Sequence, residues 1–193
     1  MAEPATDHRQ ATAQRNIEAI LDACETLAAR GAPLTIAALA AESGVSRVTV
    51  YAHFDSVAAV LQAASRRAVE RVTAVLAGVD LEAGTGLDGL DRMVDAVWPL
   101  LGELHGLSRA TGDLLAPEAR RAAHGDVFDI VDGLVARGRA DGSIRTDVPA
   151  EWQSSVVYAL IHTAVDDINH GRIPADDAGT ALVTTLRASL QRA

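Results

Sequence analysis

The stretch that decides the reading is IAALAAESGVSRVTVYAHFD, residues 36–55. Its apolar residues recur at helical spacing on either side of Gly44-Val45-Ser46, which predicts two short helices joined by a tight turn. Thr35 is a good N-cap for the first, which runs to about Glu42, and Ser46 caps the second. Rods this short must cross at a steep angle, and that sets residue types. Ala40 is small where the second helix crosses, Gly44 can take the left-handed turn, and Leu39, Val45 and Val50 form the apolar wedge. The residues left facing outward are Arg47, Val48, Thr49, Tyr51, Ala52 and His53. A helix-turn-helix lays its second helix in the DNA major groove. Arg47 can bridge guanine O6 and N7 or grip a phosphate, and Val48 and Ala52 can touch a thymine methyl. Thr49, Tyr51 and His53 carry donors for phosphate oxygens. An ordinary αα-hairpin with a packed tyrosine is the other reading of the same spacing.

Outward from this stretch the periodicity stays helical. Ile17, Ile20, Leu21, Cys24, Leu27 and Ala28 share one face of a first helix that Gly31 and Pro33 stop. Asp55 is expected to cap a long fourth helix with Val57, Val60, Leu61, Ala64, Ala68, Val72, Val75 and Leu76 inside. A glycine-rich loop follows. The next helix runs from Leu90 to Leu104 with Pro99 expected to kink it. A short helix is predicted over 107–116, and a longer one from Pro117-Glu118 to the Asp141-Gly142 turn. Pro149 is expected at the first position of the next helix, with Gly171 closing it and Pro174 opening the last. No alternating strand pattern of convincing length occurs, so the chain reads as all-α with about nine helices.

Composition narrows the function classes. The 193 residues, 49% hydrophobic, suit a compact unit or two small ones, and exclude disorder. All 17 basic residues are Arg, against 26 acidic ones, for a formal net charge of -9. Such a chain does not coat nucleic acid by bulk charge. The imbalance is uneven: residues 1–72 hold 7 Arg and 8 acids, residues 73–193 hold 10 Arg and 18 acids. An acidic body thus joins a nearly neutral head, and the head is where an anionic polymer is tolerated. The one cysteine, Cys24, excludes an internal disulfide and a cysteine-based zinc cluster, and on its apolar face it reads as a packed thiol. No apolar run reaches the ~18 residues that span a bilayer, so no membrane partner is expected. The polar lead MAEPATDHRQATAQR lacks the core of a signal peptide, and a cytoplasmic protein is expected.

Residues from about Arg15 to Leu61 resemble the N-terminal domain of the TetR family of bacterial transcription regulators. The resemblance is carried by an opening Arg, a first helix ending in ARGA, and TIAALAAESGVSRVTVYAHF, with Gly44-Val45-Ser46, Thr49, Tyr51, His53 and Phe54 in register. It implies a helix-turn-helix domain with an N-terminal arm over residues 1–56 and an effector-binding and dimerisation domain over 57–193. Arg15, Thr35, Ser46, Arg47, Val48, Thr49, Tyr51, Ala52 and His53 are the implied DNA-binding set, with Phe54 in the core. The implied partners are an operator in double-stranded DNA, a second copy of the chain and an unknown small-molecule effector. The implied role is a ligand-responsive repressor, nucleoid-associated when bound. One departure concerns the start of the fourth helix, where the family usually has a Lys and this chain has Val57 after Asp55 and Ser56. One phosphate contact fewer per subunit implies a shallower salt dependence, which Arg9 and Arg15 can offset.

For dimerisation the candidates are Val157, Leu160, Ile161 and Val165, on a helix apolar around most of its circumference, with Leu182 and Leu186 on the last helix. The central helix of a monomer is the other explanation. For an effector pocket the candidates are Met93, Val97, Trp98, Leu101, His105, Thr111, Phe128 and Val131, with Asp129 and Arg109 as further polar contacts. The acidic body favours a neutral or cationic effector. His162, Asp166 and His170 share a helix face at metal-ligand spacing, but polar side chains facing water near a helix end read the same way, and no metal or cofactor is expected. The chain has no Glu-x-x-His pair, glycine-rich phosphate loop, His-Glu-x-x-His or Gly-x-Ser-x-Gly, so catalysis is not expected. The rival function is a helical small-molecule carrier or interaction protein with a degenerate DNA-binding head.

Overall fold

The computed structural model describes residues 4–114 and 125–191. Eight helices occur among them: α1 (Pro4–Ala29), α2 (Ile36–Ser43), α3 (Arg47–His53), α4 (Val57–Leu76), α5 (Gly86–Leu114), α6 (Gly125–Asp141), α7 (Ala150–Asn169) and α8 (Ala175–Leu190). No strand occurs there; one isolated antiparallel bridge joins Ile144 to Gln191. The chain has the all-α fold that the spacing predicts. Its contacts divide it into two compact units, residues 1–68 with 106–123 and residues 69–105 with 124–193.

In the first unit α1 buries Ile20, Leu21, Cys24, Leu27 and Ala28, and burial pushes the Cys24 thiol up to about 12. The helix stops at Gly31, whose φ of 65° suits glycine. There Gly31 N–H donates to Ala28 O and Ala32 N–H to Leu27 O, the paired bonds of a Schellman end. α1 begins at Pro4, so Arg9 and Arg15 lie on this helix. Arg67 of α4 binds α1 through Asp22 (2.8 Å) and Glu25 (2.7 Å). Residues 106–114 of α5 complete the unit. A Cβ on Gly106 would lie 2.4 Å from Ala28 O, so only glycine lets these backbones approach. Nearby, Ser65 and Thr111 hydroxyls pair at 3.0 Å.

In the second unit α5 and α6 meet backbone to backbone. A Cβ on Gly86 would lie 2.1 Å from Gly138 N. Thr85 and Asp88 form a capping box at the start of α5, with Thr85 N–H and hydroxyl donating to Asp88 and Asp88 N–H donating back to Thr85 Oγ1. Arg187 of α8 reaches the same turn, donating to Asp88 Oδ1 at 3.0 Å and Asp91 Oδ2 at 2.6 Å. The core holds Leu90, Met93, Val94, Val135, Ile144, Val157, Leu186 and Leu190.

Several boundaries differ from expectation. Ser56, not Asp55, caps α4, its Oγ accepting from Ala59 N–H at 3.1 Å. The predicted break near 106 is absent, and α5 runs on through Pro99 to Leu114. Pro99 and Asp95, the residue whose carbonyl loses its donor, are both exposed, so water can take the freed carbonyl. Pro149 and Pro174 are N-caps one residue before their helices, where a missing N–H costs nothing. The predicted helix start at Pro117-Glu118 lies outside the described residues.

Candidate nucleic-acid interface

The first unit positions α3 through the caps and the turn at its entry. Thr35 Oγ1 accepts from Ala38 N–H at 3.1 Å and starts α2. Gly44, at φ 72° and ψ 13°, turns the chain in the left-handed region. Ser46 Oγ then accepts from Thr49 N–H at 3.0 Å, which starts α3. The Ser46 and Thr49 hydroxyls lie 2.8 Å apart, and with Ser46 donating, Thr49 keeps its proton for an outside acceptor. At the other end Phe54 N–H donates to Val50 O. Leu39, Ala40 and Val50 are buried, so the inner face of the helix pair is fixed by apolar packing.

The outer face of α3 is bare. Val48 is 79% exposed and Tyr51 58%, with Arg47 and Ala52 exposed beside them. Thr49 and His53 are part-exposed, at the edges of that face. Among the described residues Arg47 forms no ion pair, whereas Arg30 is held by Glu42 at 3.3 Å. Arg15 is exposed and donates to Thr12 Oγ1, one turn back along α1. Thr35 and Ser46 are exposed at the starts of α2 and α3. Phe54 is half-buried, less enclosed than a core residue. Val57 is half-buried as the first residue of α4.

The other sequence-derived candidates are distributed differently. Met93, Val97 and Val131 are buried in the second unit, and Trp98, Leu101 and Phe128 are half-buried there. Phe128 stacks on Tyr158 at 4.8 Å, and Tyr158 packs against His162 at 4.1 Å. Thr111 belongs to the first unit, its hydroxyl bound to Leu107 O and Ser65. The side chain of His105 lies outside the described residues. Five of the six dimerisation candidates, Val157, Ile161, Val165, Leu182 and Leu186, are buried within the unit, so they are not surface. α7 has α6 on one side and α8 on another, and their packing takes up much of its apolar surface. Only Leu160 is part-exposed.

A recess of about 380 Å3 lies along α6, and none of the eight effector candidates lines it. Its residues Gly133 and Arg137 went unread in the sequence, although a glycine inside a helical pattern was a signal. Among the described residues no group of three His, Cys, Asp or Glu is placed to hold a metal ion. Asp166 instead pairs with Arg172. No helix described is long and apolar enough to cross a membrane.

Residues 20–64 match the family model for bacterial regulatory proteins of the tetR family. No curated protein sequence matches the chain. Among solved structures, the TetR-like transcriptional regulator LfrR from Mycobacterium smegmatis, in complex with proflavine, superposes with a TM-score of 0.71. It is 22% identical, over 93% of this chain and 98% of that one. A putative regulator from Saccharomonospora viridis, in complex with choline, gives a TM-score of 0.72 at 22% identity, over 92% and 98%. A putative TetR protein from Vibrio parahaemolyticus gives 0.69 at 24%, over 91% and 98%. At these identities the structural likeness speaks for the fold, while the family model speaks for the head. Residues 20–64 thus match the family model of the tetR regulators, and the chain as a whole shares the all-α fold of solved TetR-like regulators.

Proposed function

We propose that the chain is a ligand-responsive repressor that binds a roughly palindromic operator as a homodimer. The observation that carries the reading is the bare outer face of α3, with Val48 and Tyr51 in water on a helix whose inner face and caps are complete. Leaving apolar surface in water stabilises nothing in the unit, so the face is kept for a partner. Arg47, Val48 and Ala52 face base edges. Thr49, Tyr51 and His53 hold the backbone, with Thr35, Ser46 and Arg15 at its margins. The working division is a DNA-binding part over residues 1–56 and an effector-binding and dimerisation part over 57–193.

The dimer forms through α7 and α8 by the surface their own packing leaves over: Leu160, Ala159 and Trp152 on α7, Ala181 and Thr184 on α8. Two-fold symmetry then sets the recognition helices about 34 Å apart, one turn of DNA. The effector is neutral or cationic, in keeping with the acidic balance of residues 73–193 and with relatives in fold that hold proflavine and choline. It lies among Met93, Val97, Trp98, Leu101, His105, Phe128 and Val131. By binding a state with different head spacing, it releases the operator in proportion to its differential affinity for the two states.

Mobility shift of the purified chain on the DNA upstream of its own reading frame, across a salt series, tests this reading. Retardation is expected, with a slope about one unit per subunit shallower than a lysine at position 57 would give. A chain that ignores both this DNA and genomic libraries is a helical carrier or interaction protein with a degenerate head.

A further inference from the structure

The guanidinium of Arg137, on α6, is enclosed but only partly used. Its Nη2 donates to the carbonyls of Leu81 at 2.6 Å and Thr85 at 3.0 Å. Its Nη1 stands 2.9 Å from Glu82 Oε2, an ion pair without the alignment of a hydrogen bond, and its Nε has no acceptor. Both of these nitrogens are buried. A buried donor left unused costs free energy, and more so on a charged group. The two sides of the ion pair are unlike: 23% of the Arg137 side chain is exposed against 86% of that of Glu82. A carboxylate so exposed is held weakly and turns into water at little cost.

The backbone that carries Glu82 does not depend on its side chain. Asp80 Oδ1 accepts from the amides of Glu82 and Ala83, each at 3.1 Å, and Arg92 Nε donates to Asp80 O at 2.7 Å. Beside Arg137 lies the recess of about 380 Å3, a volume that suits a small molecule, with Leu81, Ile130 and Leu134 as its apolar lining. Gly133 lines it too, one turn before Arg137 on the same helix face. An added Cβ there would meet nothing within 4 Å, and Gly133 is not among the glycines with positive φ. Neither packing nor backbone requires this glycine, a poor helix former, and what its missing side chain does is keep the recess open. Asp129, a further turn back, is exposed, so water screens its charge.

We infer that this recess binds a small organic anion, a carboxylate with a short aliphatic tail, at a site separate from the effector candidates. The carboxylate takes the place of Glu82 at Arg137 Nη1, and the tail lies over Gly133 between Leu81, Ile130 and Leu134. Once Glu82 has turned to water, exchanging one carboxylate for another leaves the charge beside the guanidinium as it was. Free of a backbone tether, the ligand oxygen aligns with the N–H, as Glu82 does not, and forms a charge-assisted hydrogen bond.

The test titrates the full chain with octanoate by isothermal titration calorimetry, with octylammonium as a competitor of opposite charge. Octanoate is expected to bind the wild type and octylammonium not to displace it. Gly133→Leu, which fills the space of the tail, and Arg137→Gln, which removes the anchor, are each expected to weaken octanoate by about tenfold or more. Glu82→Gln removes the competing carboxylate from an exposed position and is expected to tighten octanoate by roughly threefold to tenfold. That gain keeps the test decisive if either of the other variants fails to fold. No octanoate binding by the wild type, displacement by octylammonium, or binding that Glu82→Gln leaves unchanged or weakens overturns the inference.

Discussion

α3 and α7 each carry more apolar residues than one buried face takes up, and they treat the excess in opposite ways. In α3, Val50 is fully buried while Val48, two residues earlier, is 79% exposed, with Tyr51 bare beside it. In α7, Val157, Ile161 and Val165 are all buried, and Leu160 is part-exposed. The difference lies in neighbours. The seven-residue α3 packs on one side against α1 and α2, whereas the twenty-residue α7 lies between α6 and α8. Apolar surface in the body therefore stabilises the chain itself, and apolar surface on α3 is available to something else.

The largest effect that sharpens this contrast is Leu186→Ala, in the α8 face that covers α7. Removing so enclosed a side chain is expected to cost about 2–5 kcal/mol, read by urea or thermal unfolding. A near-neutral result would mean that the α7–α8 packing is loose and its apolar residues free for a partner. Next come Arg47→Ala and Tyr51→Ala, each expected to weaken operator binding by about 1–3 kcal/mol. Tyr51→Ala should do so on all sequences alike, and Arg47→Ala should also relax base preference. Equal losses on specific and random DNA for both variants would contradict the base-reading role of Arg47.

Ser46→Ala removes the cap that starts α3 and is expected to cost about 1 kcal/mol of stability, with DNA binding falling in step. A smaller effect, confined to acid, belongs to the body. Hydrogen bonds from the Thr85 hydroxyl and amide, then from Arg187, hold Asp88 down from its ordinary 3.8 to about 2. Its stabilisation is complete above the ordinary value and is lost as pH falls through the held-down one. Asp88→Asn should thus flatten the loss of stability across that window, followed by melting temperature against pH. Burial pushes the neighbouring Asp91 the other way, so an unchanged acid limb would mean that Asp91 dominates this turn. Smallest of all is Val48→Ala, expected to move stability by less than about 0.5 kcal/mol while still altering operator preference. A large loss of stability there would show that the outer face of α3 has cover in solution.

Much of the head was readable because its constraints are local. Thr35, Gly44 and Ser46 act on groups within three residues of themselves, so cap and turn chemistry fixes α2 and α3 from the sequence. The all-α class followed from the 3.6-residue period alone. Boundaries that depend on a neighbour were less legible. Asp55 and Ser56 are equally good caps on paper, and α5 passes through Pro99 because that side of the helix meets water.

What the sequence by itself determined is the run of helices and the outward set on α3, since both arise from contacts within a turn or two of chain. Tertiary structure alone decided which apolar residues of α7 and α8 are interior, because a stripe reads the same whether its own unit or a second copy covers it. It also decided that Gly86, Gly106 and Gly138 stand where backbones meet and that Gly133 stands at an opening. A glycine's purpose is set by what lies opposite its missing side chain, and that residue is distant in sequence or, at Gly133, absent.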